Sequence, residues 1–394
     1  RREDLITKPL LFFIQKLWRI LQSPPPWFWG ARGAIWQRFG ERSRTRLPLE
    51  LLQQLHWWLI VPWRRARYRI HLNNSLPLGL RLRACWLNSY QPRELAWWWS
   101  VGVDDWNKLS AHPPESFTGQ LHRHRRQHWP AQCQPALDLL GDKAALLELT
   151  PLSWRGVFLK LEHPTSVPPP SWWREAIHQD GVVLKPLRGH AGRGVVRFRW
   201  GEQGLSQEGL FRQLPQSTPT WPTALSADPA ALHKHWQRMM GSQEAVLASP
   251  YINHSSRLPE THPSVVVRVL TQQSAPGQCI HVALAWLEIP LSDGGILFLG
   301  LDGQNLPKLG DGLSAQQLRV LQQWQHQLMG CGRTLIQACL DAATAMHALL
   351  PPIDQVAWDW IPAEPAPLLL EGNGGFGLLV PQLFQHLQKS INNS

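Results

Sequence analysis

The sequence predicts an α+β fold, and three stretches carry that prediction. From Gly181 to Gly194 an apolar run ends on Lys185-Pro186, passes glycines at 189, 192 and 194, and re-enters an apolar run over Val195 to Trp200. From Ser264 to Thr271 a β-branched run sets Val265, Val267 and Val269 on one face and Val266, Arg268 and Leu270 on the other. From Val356 to Asn373 two strand-like runs flank a short Ala/Glu/Pro turn. Helical spacing over 231–243 and 314–350 supplies the other half of the mixture.

The remaining elements follow in chain order. Residues 1–22 space Leu10, Phe13, Ile14, Leu17 and Leu21 as one face of an amphipathic helix, which Pro24-Pro25-Pro26 ends. A second helical stretch spans about 49–59. Residues 1–137 are therefore expected to form a basic, mainly helical domain rich in Trp and Arg, and 138–394 a second domain. Within the second, 138–178 reads as a small helical and mixed lobe, 181–215 as a hairpin lid and 216–230 as a loop. Strands are expected over 246–252, 264–272, 279–289 and 295–302. The 314–350 stretch reads as two helices broken at Gly330-Cys331-Gly332, and a last helix covers about 380–389.

Charge is unevenly spread. Residues 1–140 hold 21 Lys and Arg against 9 Asp and Glu, so the whole excess of +11 belongs to that part. One nucleotide does not need such an excess. It suits an anionic membrane face or an anionic glycan, with nucleic acid the less favoured partner. The 23 tryptophans include Trp57, Trp58, Trp63 and Trp97 to Trp99 in the basic part. Trp beside Arg fits a membrane interface, sugar stacking or single-stranded nucleic acid, or simply a Trp-rich core. The Arg64–Arg69 cluster reads as a solvated face, and His122 to His128 as a basic loop without acidic partners. No apolar run is long enough to span a bilayer. Five scattered cysteines show neither disulfide nor zinc spacing, which points to a reducing, cytoplasmic setting, peripheral at most to the inner membrane face. The chain opens on Arg1 instead of Met, so a short leader is expected before it.

Strand, lysine, glycine-rich loop and strand form the layout of a lid over a nucleoside triphosphate. Glycines let backbone N–H groups approach phosphate oxygens, and the lysine adds a mobile positive charge. The loop is neither a P-loop, for want of a Gly-Lys-Ser/Thr ending, nor a dinucleotide fingerprint, since a strand follows. Downstream, alternation places Ala357, Asp359 and Ile361 on one face, and Leu369, Glu371 and Asn373 on one face. Two carboxylates and an amide oxygen suit magnesium, which takes few protein ligands and completes its shell with phosphate and water. Arg268 amid valines is costly unless it is paired with an acidic neighbour or set against an anion.

In this order the pieces resemble the ATP-grasp superfamily. More narrowly they resemble its sugar-transfer-associated family, related to α-L-glutamate ligases. The resemblance runs over about 138–388. It rests on Lys185-Pro186 with Gly189 to Gly194, Pro263-Ser264-Val265-Val266-Val267-Arg268, Gly294-Gly295-Ile296, Ala357-Trp358-Asp359 and Glu371-Gly372-Asn373. It implies that Lys185 contacts ATP, that Gly189, Gly192 and Gly194 form the phosphate lid, and that Arg268 stabilises the transferring phosphoryl group. It implies magnesium on Asp359, Glu371 and Asn373, a first nucleotide lysine at Lys143, and a hinge over 246–252 whose Ser249 and Tyr251 meet adenine. The hinge lacks the family's usual glutamate, Val266 stands where the family has Asn, and only Ser292-Asp293 precedes the Gly-Gly-Ile segment.

The function so implied is an ATP-dependent carboxylate–amine ligase acting through an acyl phosphate. Its substrates would be small or glycan-linked carboxylates and amines, as in polysaccharide biosynthesis. A kinase acting on a hydroxyl, or a degenerate nucleotide fold serving as an anionic-surface binder, are the alternatives.

Overall fold

A computed structural model of the chain describes residues 97–98, 101, 103, 133–162, 168–188, 194–201, 204–209, 228–240, 244–291, 295–306, 313–330, 332–376 and 380–385. The expected helices of 1–22 and 49–59, the basic clusters, Gly189, Gly192, Cys331 and Ser292 to Gly294 lie outside these. The chain divides into two compact units. One comprises Arg1–His124, Leu306–Gly312 and Gly377–Ser394. In it Trp97 and Trp98 are buried, with the Val101 N–H bonded to the Trp97 and Trp98 carbonyls, so these two rings belong to packed core. The other unit, Arg125–Asn305 with Leu313–Phe376, carries everything below.

This second unit is α+β, as expected. Its elements are α1 (Gln134–Gly141), α2 (Lys143–Leu149), β1 (Leu159–Leu161), α3 (Ser171–His178), β2 (Val182–Pro186), β3 (Val196–Gly201), β4 (Gly204–Gly209), α4 (Pro229–Met240) and β5 (Val246–Pro250), then β6 (Val266–Gln273), β7 (Ile280–Pro290), β8 (Ile296–Gly300), α5 (Ala315–Met329), α6 (Gly332–Leu349), β9 (Gln355–Ile361) and β10 (Leu368–Asn373). Helix α1 runs through the 137/138 boundary drawn from composition. The strands form two five-stranded antiparallel sheets, ordered β1-β5-β2-β3-β4 and β10-β9-β6-β7-β8.

Each sheet buries one face under helices. In the first, Val182, Leu184, Val196, Phe198, Val246 and Ala248 pack with Trp173 and Ile177 of α3 and with Leu232 and Trp236 of α4. Val183, Lys185, Arg197 and Ser249 therefore share the opposite face. In the second sheet, Val267, Val269, Leu287, Leu299, Trp358 and Trp360 pack against Trp324 of α5 and Cys339 and Met346 of α6. Arg268, Trp286 and Asp359 take the other face.

A buried polar knot pins β9 from its core side. The Trp358 indole N–H donates to Thr271 Oγ1 at 2.8 Å, and Thr271 Oγ1 lies 2.7 Å from His347 Nδ1. His347 Nε2 lies 3.0 Å from the Ile353 carbonyl, which accepts from it. Asp359 follows Trp358 directly and inherits its fixed position.

One expectation is corrected. Leu369 does not share a face with Glu371. Leu369 pairs with Trp360 while Glu371 pairs with Asp359, so Leu370 is the extra residue of a bulge. The bulge sends Leu369 into the core and Glu371 to the polar face.

Candidate active site

The polar face of the second sheet carries a cross-strand row. Arg268 of β6 pairs with Trp286 of β7 on one side and Asp359 of β9 on the other, and Asp359 pairs with Glu371 of β10. Arg268 Nε and Nη2 donate to the two oxygens of Asp359 at 2.5 and 2.6 Å, a bidentate pair. Its Nη1 reaches Glu288 Oε1 at 3.1 Å, and the Trp286 indole N–H donates to the same oxygen at 3.3 Å. Of the two settings the sequence left open for Arg268, the acidic-neighbour setting is the one found here.

Glu371 and Asn373 extend from β10 beside this pair. The Asn373 side-chain N–H donates to Glu371 Oε1 at 3.1 Å, leaving its amide oxygen unspent among the described residues. Gly372 between them is required by packing. A Cβ there would lie 2.7 Å from Leu140 and 2.8 Å from Trp358. Only glycine lets β10 lie this close to the Trp358 ring, so the Glu-Gly-Asn spacing has a steric origin.

Two lysines close on this row from other elements. Asp142 caps α2, its side chain accepting from Ala144 N and Ala145 N. Lys143 thus opens the helix, against the helix dipole, and its Nζ sits 3.7 Å from Glu371 Oε2. Lys185 rises from β2 of the first sheet, and its Nζ donates to the Leu370 carbonyl at 3.0 Å. That carbonyl belongs to the bulge residue, so the irregularity that turns Glu371 also receives Lys185.

The electrostatics follow from burial in a mixed-charge cluster. Burial pushes Lys185 down to about 8, helped by Lys143 and opposed by Glu371 and Asp359. Burial works against the charge of Arg268 too, but Asp359 and Glu288 outweigh it and raise its pKa. Burial raises Asp359, to about 7, against the pull of Arg268, with Glu371 and Glu288 pushing the same way as burial. Both Asp359 oxygens nevertheless accept from Arg268, which is the geometry of the ionised pair. Burial also raises Glu371, yet Lys143, the Asn373 amide, Lys185 and Arg268 together hold it below the ordinary carboxylate range.

Asp359, Glu371 and Glu288 formally balance Arg268, Lys143 and Lys185. Among the described residues no group of three or more His, Cys, Asp or Glu side chains forms a cage for an ion. Two carboxylates and one amide oxygen without excess negative charge fit magnesium that arrives on a polyphosphate. They do not fit tight capture of the bare ion.

Gly194 has φ +73°, and its carbonyl accepts from the Trp236 indole N–H at 2.8 Å, so the exit of the glycine loop is anchored to α4. Ser249 pairs with Val183 on the same sheet face as Lys185. Tyr251 is already committed. Its N–H donates to the Gly181 carbonyl, its hydroxyl accepts from Ser264 N at 3.0 Å, and the Arg197 guanidinium lies 4.0 Å over its ring. Sequence reasoning missed Glu288, although a lone acid in the apolar run Trp286-Leu287-Glu288-Ile289 is the same signal that singled out Arg268. No helix among the described residues is long and apolar enough to cross a membrane.

No family model matches the chain, and no curated protein matches it. Several solved structures match part of the chain. A D-alanine–D-alanine ligase from Bacillus anthracis, complexed with ATP, matches at TM-score 0.34 and 10% identity, over 66% of this chain and 70% of its own. An L-amino acid ligase from Bacillus licheniformis matches at TM-score 0.33 and 10% identity, over 67% and 54%. An N5-carboxyaminoimidazole synthase from Aspergillus clavatus, with ADP and 5-aminoimidazole ribonucleotide, matches at TM-score 0.32 and 9% identity, over 61% and 45%. The chain thus spans about half the length of the latter two.

Proposed function

We propose that this chain is an ATP- and magnesium-dependent enzyme of the ATP-grasp type that joins a carboxylate to an amine. The observation that best supports the reading is the convergence of Lys143 and Lys185, from a helix and from one sheet, on Asp359, Glu371 and Asn373 of the other sheet. Lys185 and Lys143 would bind phosphate oxygens from two sides. Glu371, Asn373 and Asp359 would hold magnesium, which when bound supplies positive charge to the phosphate oxygens. Arg268 is spent on Asp359 and Glu288, so its part is to hold Asp359 in place. The phosphate-facing role that the resemblance implies for it requires one of those pairs to open.

In the proposed reaction an acceptor carboxylate oxygen attacks the γ-phosphorus of ATP, and ADP leaves. The amine nitrogen then attacks the acyl carbon, phosphate leaves with the former carboxylate oxygen, and the nitrogen loses a proton. The residues position and neutralise charge and need no nucleophile of their own. A hydroxyl acceptor would need a base, and Asp359, Glu288 and Glu371 each already face a cation. That favours a carboxylate acceptor, small or glycan-linked as the resemblance implies.

An ¹⁸O-labelled carboxylate panel with ATP and amines tests the reading. Label in inorganic phosphate is expected, and ADP formed with the phosphoryl group retained on a hydroxyl product would refute ligation. The proposal extends to the basic 1–140 segment as an anionic-surface contact. Its test is salt-reversible binding to anionic liposomes, and binding indifferent to salt would refute it.

A further inference from the structure

His347 is a buried, titratable side chain with no part in the chemistry above. It lies on α6 and is 2% exposed, against an apolar core. Its Nε2 donates to the Ile353 carbonyl, and its Nδ1 faces Thr271 Oγ1 at 2.7 Å. Thr271 Oγ1 also lies 3.3 Å from the carbonyl of Val356, its cross-strand partner on β9, and accepts from the Trp358 indole N–H at 2.8 Å. Burying three polar side chains stabilises little, because each hydrogen bond made replaces one to water. What such a network adds is direction.

Direction matters because the indole lies across β9. Its N–H edge points toward β6, where Thr271 holds it. Its opposite edge, Cε3 and Cζ3, faces β10, where a Cβ on Gly372 would meet those atoms at 3.0 and 2.8 Å. Strands β6 and β10 flank β9 on its two sides. An indole turned over about its Cβ–Cγ bond would carry its N–H away from Thr271 and its benzo edge away from Gly372. The bond to Thr271 therefore selects the orientation on which β10 rests. Gly372 is the middle residue of Glu371-Gly372-Asn373, so its seat sets where the Glu371 carboxylate and the Asn373 amide stand.

We propose that Thr271 and His347 are positioning residues for the magnesium–nucleotide site, acting through the Trp358 indole on the placement of Glu371 and Asn373. This role rests on the reading of those two side chains as magnesium ligands. His347 holds the Thr271 hydroxyl, Thr271 holds the indole, and the indole supports Gly372. A helix on the core side of the sheet is thereby tied to the ligand set on its polar face.

The test is calorimetry of ATP with magnesium, and with EDTA in its place, on the full chain and on T271V, T271S, H347L and H347N. The readout is the ratio of the two affinities, which a partial loss of folded protein leaves unchanged. T271V keeps the shape of threonine without its oxygen, and it should cut the ratio roughly tenfold, the lower end for residues that stand behind metal ligands. T271S keeps the oxygen and should keep the wild-type ratio. From the helix side, H347L should cut the ratio, and H347N, which retains a polar atom facing Thr271, should keep most of it. That pair decides the matter even if T271V does not fold. Unchanged ratios in T271V and H347L, or a ratio that T271S fails to keep, overturn the positioning role alone. A wild type whose ATP affinity is indifferent to magnesium overturns the magnesium reading, and the positioning role with it.

Discussion

Replacing Arg268 by Met removes the cation that, among the described residues, touches Asp359. The Asp359 side chain is 7% exposed and Glu288 17%, so neither carboxylate regains full hydration. Breaking a buried pair from one side costs about 3–5 kcal/mol, chiefly because the remaining charge is stranded. R268M should therefore destabilise the chain, by up to that amount where Asp359 is ionised and by less where it takes up a proton. The pH dependence has a definite sign. Burial raises folded Asp359 from 3.8 to about 7 even with Arg268 present, so folding favours its protonated form. Its contribution is full below about 4 and is lost as pH rises through 7, by proton linkage. Without Arg268 that loss is larger, so the R268M deficit should grow from pH 5 to pH 7.5. Adding D359N should recover about 2 kcal/mol, because no charge is left behind at that position. Urea midpoints by tryptophan fluorescence at the two pH values measure this. An R268M as stable as wild type, or a deficit that D359N does not relieve, would refute the ion-pair account.

Three further outcomes are expected. G372A should lose about 1–3 kcal/mol through overpacking against Leu140 and Trp358, seen as a lowered Tm; an unchanged Tm would show that β10 can move away freely. Because Lys185 is pushed down to about 8, nucleotide affinity measured by calorimetry should fall as pH rises through that value. K185R should flatten the profile, since a guanidinium keeps its charge, and an identical profile in both would remove Lys185 from the phosphate contact. Burial pushes the Cys339 thiol up and leaves Cys279 exposed. Native-state alkylation with peptide mapping should therefore label Cys279 well before Cys339, and the reverse order would contradict the packing of α6.

Local pattern made much of the fold legible. Alternation located β2, β6, β9 and β10 within a residue or two, and Gly330-Cys331-Gly332 marked the junction of α5 and α6. The meeting of Lys185 with the 368–373 strand was legible only through the resemblance, since nothing within either run specifies the other. The bulge at Leu370 was not legible, because register is a property of two strands and Leu-Leu-Leu reads equally well on either face. The capture of Tyr251 by Arg197 and Ser264 was hidden for the same reason. Its partners lie 54 and 13 positions away along the chain, and the hinge sequence is silent on both. Glu288 was legible in principle as an acid in a strand, and its role appears only once Arg268 stands opposite it.

The central claim is that the Lys143, Lys185, Asp359, Glu371 and Asn373 cluster binds a magnesium–nucleotide complex. Calorimetry of ATP with and without magnesium, on wild type and E371Q, tests it most directly. Glu371 is held ionised beside Lys143, so the isosteric change removes one charge with little change in shape. Magnesium-dependent ATP binding by wild type and its loss in a folded E371Q are expected. Equal binding by both, or no binding by wild type, would contradict it.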